Sequence, residues 1–74
     1  MSYNGHKNWN HWNVSLWLFN GEYSYNLMRQ AVKEQRTLDL AARWLTMHYG
    51  GGLTPDGAPY TYTSIRAALA GWKD

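Results

Sequence analysis

Large apolar side chains recur along this chain at steps of three and four, the spacing of one face of an α-helix. The densest such stretch runs from Trp9 to Phe19. Trp9, Trp12, Leu16 and Phe19 form its stripe, and Val14, Trp17 and Leu18 fall off it, so the segment is apolar on more than one side. The alternation Trp12-Val14-Leu16-Leu18 would also suit a strand, but it leaves Trp17 and Phe19 together on the other face. The helix is the favoured reading. Asn8 or Asn10 can cap its start through the side-chain carbonyl. Asn20-Gly21 supplies a stop, since both residues tolerate the left-handed conformation at a helix end. Rings of this size bury about 150–250 Å² each, so Trp12 and Leu16 are expected in the core.

A second helix is predicted over Glu22 to Gln35. Ser24 is its candidate cap, and Glu22 near its first turn suits the positive end of the helix dipole. Leu27, Met28, Ala31, Val32 and Gln35 make its stripe, and Arg29, Lys33 and Arg36 fall on another face. Thr37 is a good cap for a third helix, with Asp39 in its first turn. Leu38, Ala41, Ala42, Leu45 and Tyr49 point inward there, beside Trp44 and His48, and Gly50-Gly51-Gly52 ends it. Leu53 to Pro59 reads as a loop, with Thr54-Pro55-Asp56-Gly57 placing Pro and Gly where a tight turn wants them. Tyr60-Thr61-Tyr62-Thr63 has strand propensity but no obvious partner strand, which favours an extended lead-in. Thr61 or Thr63 can cap a last helix from Ser64 to about Trp72, with Ile65, Ala68, Leu69 and Trp72 as its stripe. These elements predict an all-α fold: a compact bundle of three to four short helices with a Trp-rich core. It forms a single domain over residues 1–74, with residues 1–7 as a flexible arm.

Length and composition sharpen this picture. A chain of 74 residues makes one small domain of marginal stability. It has no cysteine, so disulfides and thiolate zinc sites are excluded and a reducing cytoplasm is the expected compartment. Five Trp, six Tyr and one Phe are more rings than so small a core can hold. Some are therefore expected at the surface, where Trp and Tyr favour interfaces. Seven Lys+Arg against five Asp+Glu give a net charge of +2, too little for an acidic nucleic-acid mimic or a strongly basic nucleic-acid binder. No apolar run after a basic segment suggests a secretory signal. No stretch reaches the roughly 18 apolar residues that span a bilayer, so no membrane association is expected.

The tryptophan-rich segment also carries a resemblance. Asn8, Trp9, Trp12, Asn13, Val14, Leu16, Trp17 and Leu18, followed by Glu22 and Tyr25, resemble the opening of a group of small phage and mobile-element proteins. Their usual form is close to N-Y-E-T-W-N-V-A-L-W-I. Asn10 and His11 depart from it where the group usually has Glu-Thr. The later Thr54-Pro55-Asp56-Gly57 is also similar to segments seen in such proteins. The resemblance implies a viral or mobile-element origin and brings no activity with it.

Candidate chemistry is sparse. His6 and His11 are five residues apart, unlike the i, i+4 pair of a helical metal site. His48 fits a structural place near a helix C-terminus. Glu22, Glu34, Asp39, Asp56 and Asp74 are scattered singly, with no paired-carboxylate signal. The glycine run has no lysine and follows a helix, so it is no phosphate loop. No catalytic residue, metal or cofactor is expected. The reading is a non-enzymatic accessory protein of a phage or mobile element. It would bind stoichiometrically to a host protein or ribonucleoprotein complex in the bacterial cytoplasm and inhibit host defence, as an anti-CRISPR does. The candidate contacts are Arg29, Lys33, Arg36, Arg43, Tyr60, Tyr62 and Trp72. The alternative is a small nucleic-acid-binding regulator using Arg29, Lys33, Arg36 and Arg43; direct nucleic-acid contact is permitted but not favoured. A virion structural protein has no specific feature to support it.

Overall fold

Side-chain caps set where three of the four described helices begin. The computed structural model describes residues 8–72, and the expected arm over residues 1–7 lies outside them. Among the described residues the elements are α1 (Trp9–Asn20), α2 (Glu22–Glu34), α3 (Leu38–Tyr49) and α4 (Tyr62–Ala70), which bears out the all-α bundle. Asn8 opens α1 by accepting from the His11 amide at 2.9 Å. Thr37 does the same for α3 from the Leu40 amide at 3.1 Å. Thr61 and Ser64 form a reciprocal capping box at the head of α4, at 3.2 and 3.1 Å. That box starts α4 at Tyr62, two residues before the expected Ser64, and overrides the strand propensity of residues 60–63. The β-pairing among the described residues is one isolated bridge, Leu53 to Pro59. Helix α4 stops at Ala70, so Trp72 lies beyond it rather than within it.

The α1–α2 junction departs from expectation. Gly21 alone separates the two helices and takes an extended backbone, φ −86° and ψ 131°, not a left-handed one. Its N–H donates to the Trp17 carbonyl at 3.3 Å and closes α1. Its carbonyl accepts from the Tyr25 amide at 2.8 Å and opens α2. Ser24 is therefore not the cap of α2, which has no side-chain cap bond and carries Glu22 in its first turn instead.

Helix α1 packs on α2 and α4, and α3 packs on the same two, so the first and last helices meet and close the bundle. The radius of gyration is 11.2 Å, near the value of about 11 Å for a compact chain of this length. Val14, Leu18, Leu27, Met28, Leu45, Ile65 and Leu69 fill the centre. Ala31, Ala41, Ala42, Ala58 and Ala68 are buried among them. These small side chains let the backbones approach closely.

The close approach corrects two expectations. The core is not Trp-rich: no tryptophan is among its fully buried residues, and Trp44 and Trp72 pack around the aliphatic centre as a half-buried rim. An indole is too large for helices spaced by alanines, and its N–H favours the edge. Nor is the core face of α1 the Trp9-Trp12-Leu16-Phe19 stripe. Asn13, Val14, Ser15 and Leu18 are buried instead. At about 100° per residue Val14 and Leu18 lie nearly opposite the stripe, with Asn13 and Ser15 on its flanks. Trp12 and Leu16 are half-buried and Trp9 is exposed.

Candidate functional site

Asn13 on the buried face of α1 and the half-buried Trp17 one turn later reach the loop before α4. Gly57 adopts φ +95°, the left-handed backbone that closes a turn led by Pro at its second position. Around that turn Thr54 N–H donates to the Ala58 carbonyl at 2.8 Å and Gly57 N–H to the Thr54 carbonyl at 2.9 Å. Asn13 then reads the turn twice. Its Nδ2 donates to Asp56 Oδ2 at 2.8 Å, and its Oδ1 accepts the Thr54 hydroxyl at 2.6 Å. Trp17 Nε1 donates to the same Asp56 oxygen at 2.9 Å. The Thr54 hydroxyl also accepts from the Ala58 amide at 3.0 Å, which leaves every polar atom of this buried corner engaged. Hydrogen bonds from Asn13 and then Trp17 favour the ionised carboxyl and lower the Asp56 pKa against a small opposing effect of burial. The arrangement is a clasp that fixes α1 to the loop. It joins the two segments that carry the resemblance, and its role is to hold structure.

The surface nearest to a binding site lies on α3 and α4. Leu40 and Met47 are 43% and 85% exposed on the outer side of α3. Arg43 lies between them at steps of three and four, also exposed. Arg43, Thr46 and Met47 line an open groove of about 440 Å³ with Tyr62 of α4. The structure thus brings together two of the predicted contacts, Arg43 and Tyr62. It adds Leu40, Thr46 and Met47, which sequence reasoning missed. The available signal was that Leu40 and Met47 are large, apolar and off the inward stripe of their helix. At the edge of this surface Arg66 Nε donates to Asp39 Oδ1 at 2.6 Å. That bond and the Arg66 charge hold the Asp39 carboxyl below its ordinary value, with a further contribution from the Tyr62 hydroxyl.

The other predicted contacts fall elsewhere. Arg29 and Lys33 line a groove of about 300 Å³ with Val32 and Trp72. Arg36 is exposed in the bend between α2 and α3. Glu34, the natural partner for Lys33 or Arg36, accepts from Gln30 Nε2 at 3.2 Å instead. The ion pair present among the described residues is Arg66 with Asp39, so this basic trio carries none. Trp72 and Tyr60 are not the exposed rings they were expected to be. Trp72 is half-buried against Phe19 and Tyr25, with ring centroids at 6.1 and 5.3 Å, and its buried Nε1–H has no partner. Tyr60 is half-buried and stacks on Tyr49 at 4.4 Å. Burial raises the pKa of both tyrosines. Tyr62 is half-buried as well. His48 lies parallel to Trp44 at 6.0 Å in the last turn of α3, and its Nε2 is 3.2 Å from the Tyr23 hydroxyl.

Among the described residues no three His, Asp or Glu side chains gather as a metal cage requires. No described helix is long and apolar enough to cross a membrane. No curated protein and no solved structure matches the chain. A family model does match residues 1–69, and the chain belongs to that family, DUF7249, a family of unknown function.

Proposed function

We propose that this protein acts by stoichiometric binding to a protein partner, and not by catalysis. The observation that supports this is the outer side of α3, where Leu40 and Met47 stand uncovered on either side of Arg43, above a groove closed by Tyr62. A small domain gains nothing in its own stability from large apolar groups in water. Apolar groups beside an arginine are the composition of interface centres. The resemblance of the N-terminal segment to phage and mobile-element proteins gives the context. The partner would be a host protein or ribonucleoprotein complex of a defence system in the bacterial cytoplasm, blocked by occupation of a working surface, as an anti-CRISPR does.

The competing reading, a nucleic-acid-binding regulator, draws on Arg29, Lys33 and Arg36, which carry no ion pair among the described residues. Its predicted contacts offer no fully exposed ring as a stacking platform, the exposed rings being Trp9, Tyr23 and Tyr25 instead. The rings that would serve are already engaged, Trp72 by Phe19 and Tyr25 and Tyr60 by Tyr49. The test is capture of partners from the bacterial host by tagged protein, with and without nuclease. A specific protein retained at equimolar ratio after nuclease is expected. Loss of every partner on nuclease treatment would move the assignment to nucleic acid.

A further inference from the structure

We infer that the outer face of α3 docks an amphipathic helix with acidic side chains, contributed by a protein partner. The inference rests on the binding reading above and names the partner's chemistry. Leu40 and Met47 are seven residues apart, with Arg43 three after the one and four before the other. Alternating steps of three and four make the seam along which one helix packs on another. The opposite side of α3 is spent inside the bundle, where Ala41, Ala42 and Leu45 are fully buried. The seam therefore points away from the core and meets α4 only at Tyr62, at its edge. Tyr62 and Thr46 wall the groove beside it, giving a partner helix a lateral stop.

Charge selects the occupant. Arg43 lies on the seam and Arg36 is exposed just ahead of α3. Asp39, the acid nearest to them, is already held by Arg66 at 2.6 Å. The face is thus apolar and positive, which calls for carboxylates flanking an apolar stripe. A second copy of this chain fits poorly. Two α3 helices crossing antiparallel about a two-fold axis would set Leu40 against Met47 of the other copy, but would bring the two Arg43 side chains together at the axis. Nucleic acid fits poorly too, since phosphates offer nothing to Leu40 and Met47.

The probe is a synthetic helix of about three heptads with Leu at the seam and Glu beside it. A matched peptide with Lys for Glu, and a single-stranded oligonucleotide, serve as controls. Heteronuclear NMR of the labelled protein reads the site and the affinity together. The Glu peptide is expected to saturate, shifting Leu40, Arg43, Met47 and Tyr62 and leaving the Arg29 and Lys33 signals in place. Met47→Glu, at an exposed position that leaves the spectrum of the fold intact, is expected to weaken binding by about tenfold or more, as at a central contact. Arg43→Glu should weaken the Glu peptide and strengthen the Lys peptide, a reversal that a change in folding would not produce. The proposal is overturned if the Glu peptide does not saturate or the Lys peptide binds equally. It is also overturned if the oligonucleotide shifts the same residues, or if they shift on concentrating the protein alone. A host partner retained by Met47→Glu but lost by Arg29→Glu would leave the binding reading standing and overturn this one.

Discussion

Trp17 donates its indole N–H to the Asp56 carboxylate at 2.9 Å, across 39 positions of sequence. The same oxygen takes Asn13 Nδ2, so one acid holds two side chains that sit one turn apart on α1. Asn13 is 1% exposed and its partner Thr54 is buried too, whereas Asp56 is exposed. Asn13→Ala strands the Thr54 hydroxyl in a buried corner and is expected to cost about 1–3 kcal/mol in urea unfolding. Asp56→Ala added to that background should cost less than it does alone, because the two share one network. A double-mutant cycle giving simple additivity would mean that the clasp does not act as a unit.

Acid should loosen this clasp. The Asp56 carboxyl is lower in the folded state than in the unfolded chain, held there by Asn13 and Trp17. Its contribution is therefore fully present above the unfolded value, near about pH 4, and is lost as the pH falls through the lowered folded value. Asp39, held down by Arg66, behaves in the same direction. Asp56→Asn keeps an acceptor and removes a titration. Its stability should vary less with pH below about 4 than that of the wild type, as followed by circular dichroism during acid titration.

The buried side of α1 is open to a direct comparison. Leu18 is fully buried and Trp9 is 39% exposed. Leu18→Ala is expected to cost about 2–5 kcal/mol, the range for a core leucine. Trp9→Ala should stay within about 0.5 kcal/mol despite the larger deletion. A larger loss at Trp9 would restore the tryptophan stripe as the core face.

Arg29 and Lys33 provide an electrostatic test. Both are exposed and neither forms an ion pair among the described residues. Charge reversal at either is expected to leave the melting temperature unchanged. If the α2 face steers the partner, association should slow and lose part of its salt dependence, with dissociation little altered. Binding kinetics at low and high salt read this, and unchanged rates at both would make the trio a solvated face.

Trp72 holds a buried indole N–H without a partner. Trp72→Phe removes that donor and keeps a ring against Phe19 and Tyr25, so thermal stability is expected to hold or rise. A marked fall would mean that the nitrogen is satisfied in solution.

Much of the fold was legible because its signals are local. Thr37 caps α3 as its sequence position suggests, and the Ala41-Ala42-Leu45 side of α3 turns inward as its spacing predicts. Thr61 was a candidate cap, but Ser64 completes the box and moves the helix start upstream. The orientation of α1 was not legible. A segment apolar all round has no preferred side by periodicity. In its observed rotation Val14 and Leu18 are buried and Asn13 and Trp17 meet Asp56 in a distant loop, a partner that local spacing does not reveal. The same limit hid the proposed binding face. Arg43 and Tyr62 could be singled out as residue types, but their meeting across one groove, with Met47 beside them, depends on how α4 returns against α3.

Gly21 is at once the C-cap of α1 and the N-cap of α2. A joint of one residue has no slack. Inserting a residue there would change the angle and rotation at which α2 leaves α1, and with them the burial of Met28 and Ala31. The junction should thus reject changes of chain length that an ordinary interhelical loop absorbs. The same residue makes the closing bond of α1 and the opening bond of α2. The two helices should behave as a single cooperative unit in hydrogen exchange, protected and released together.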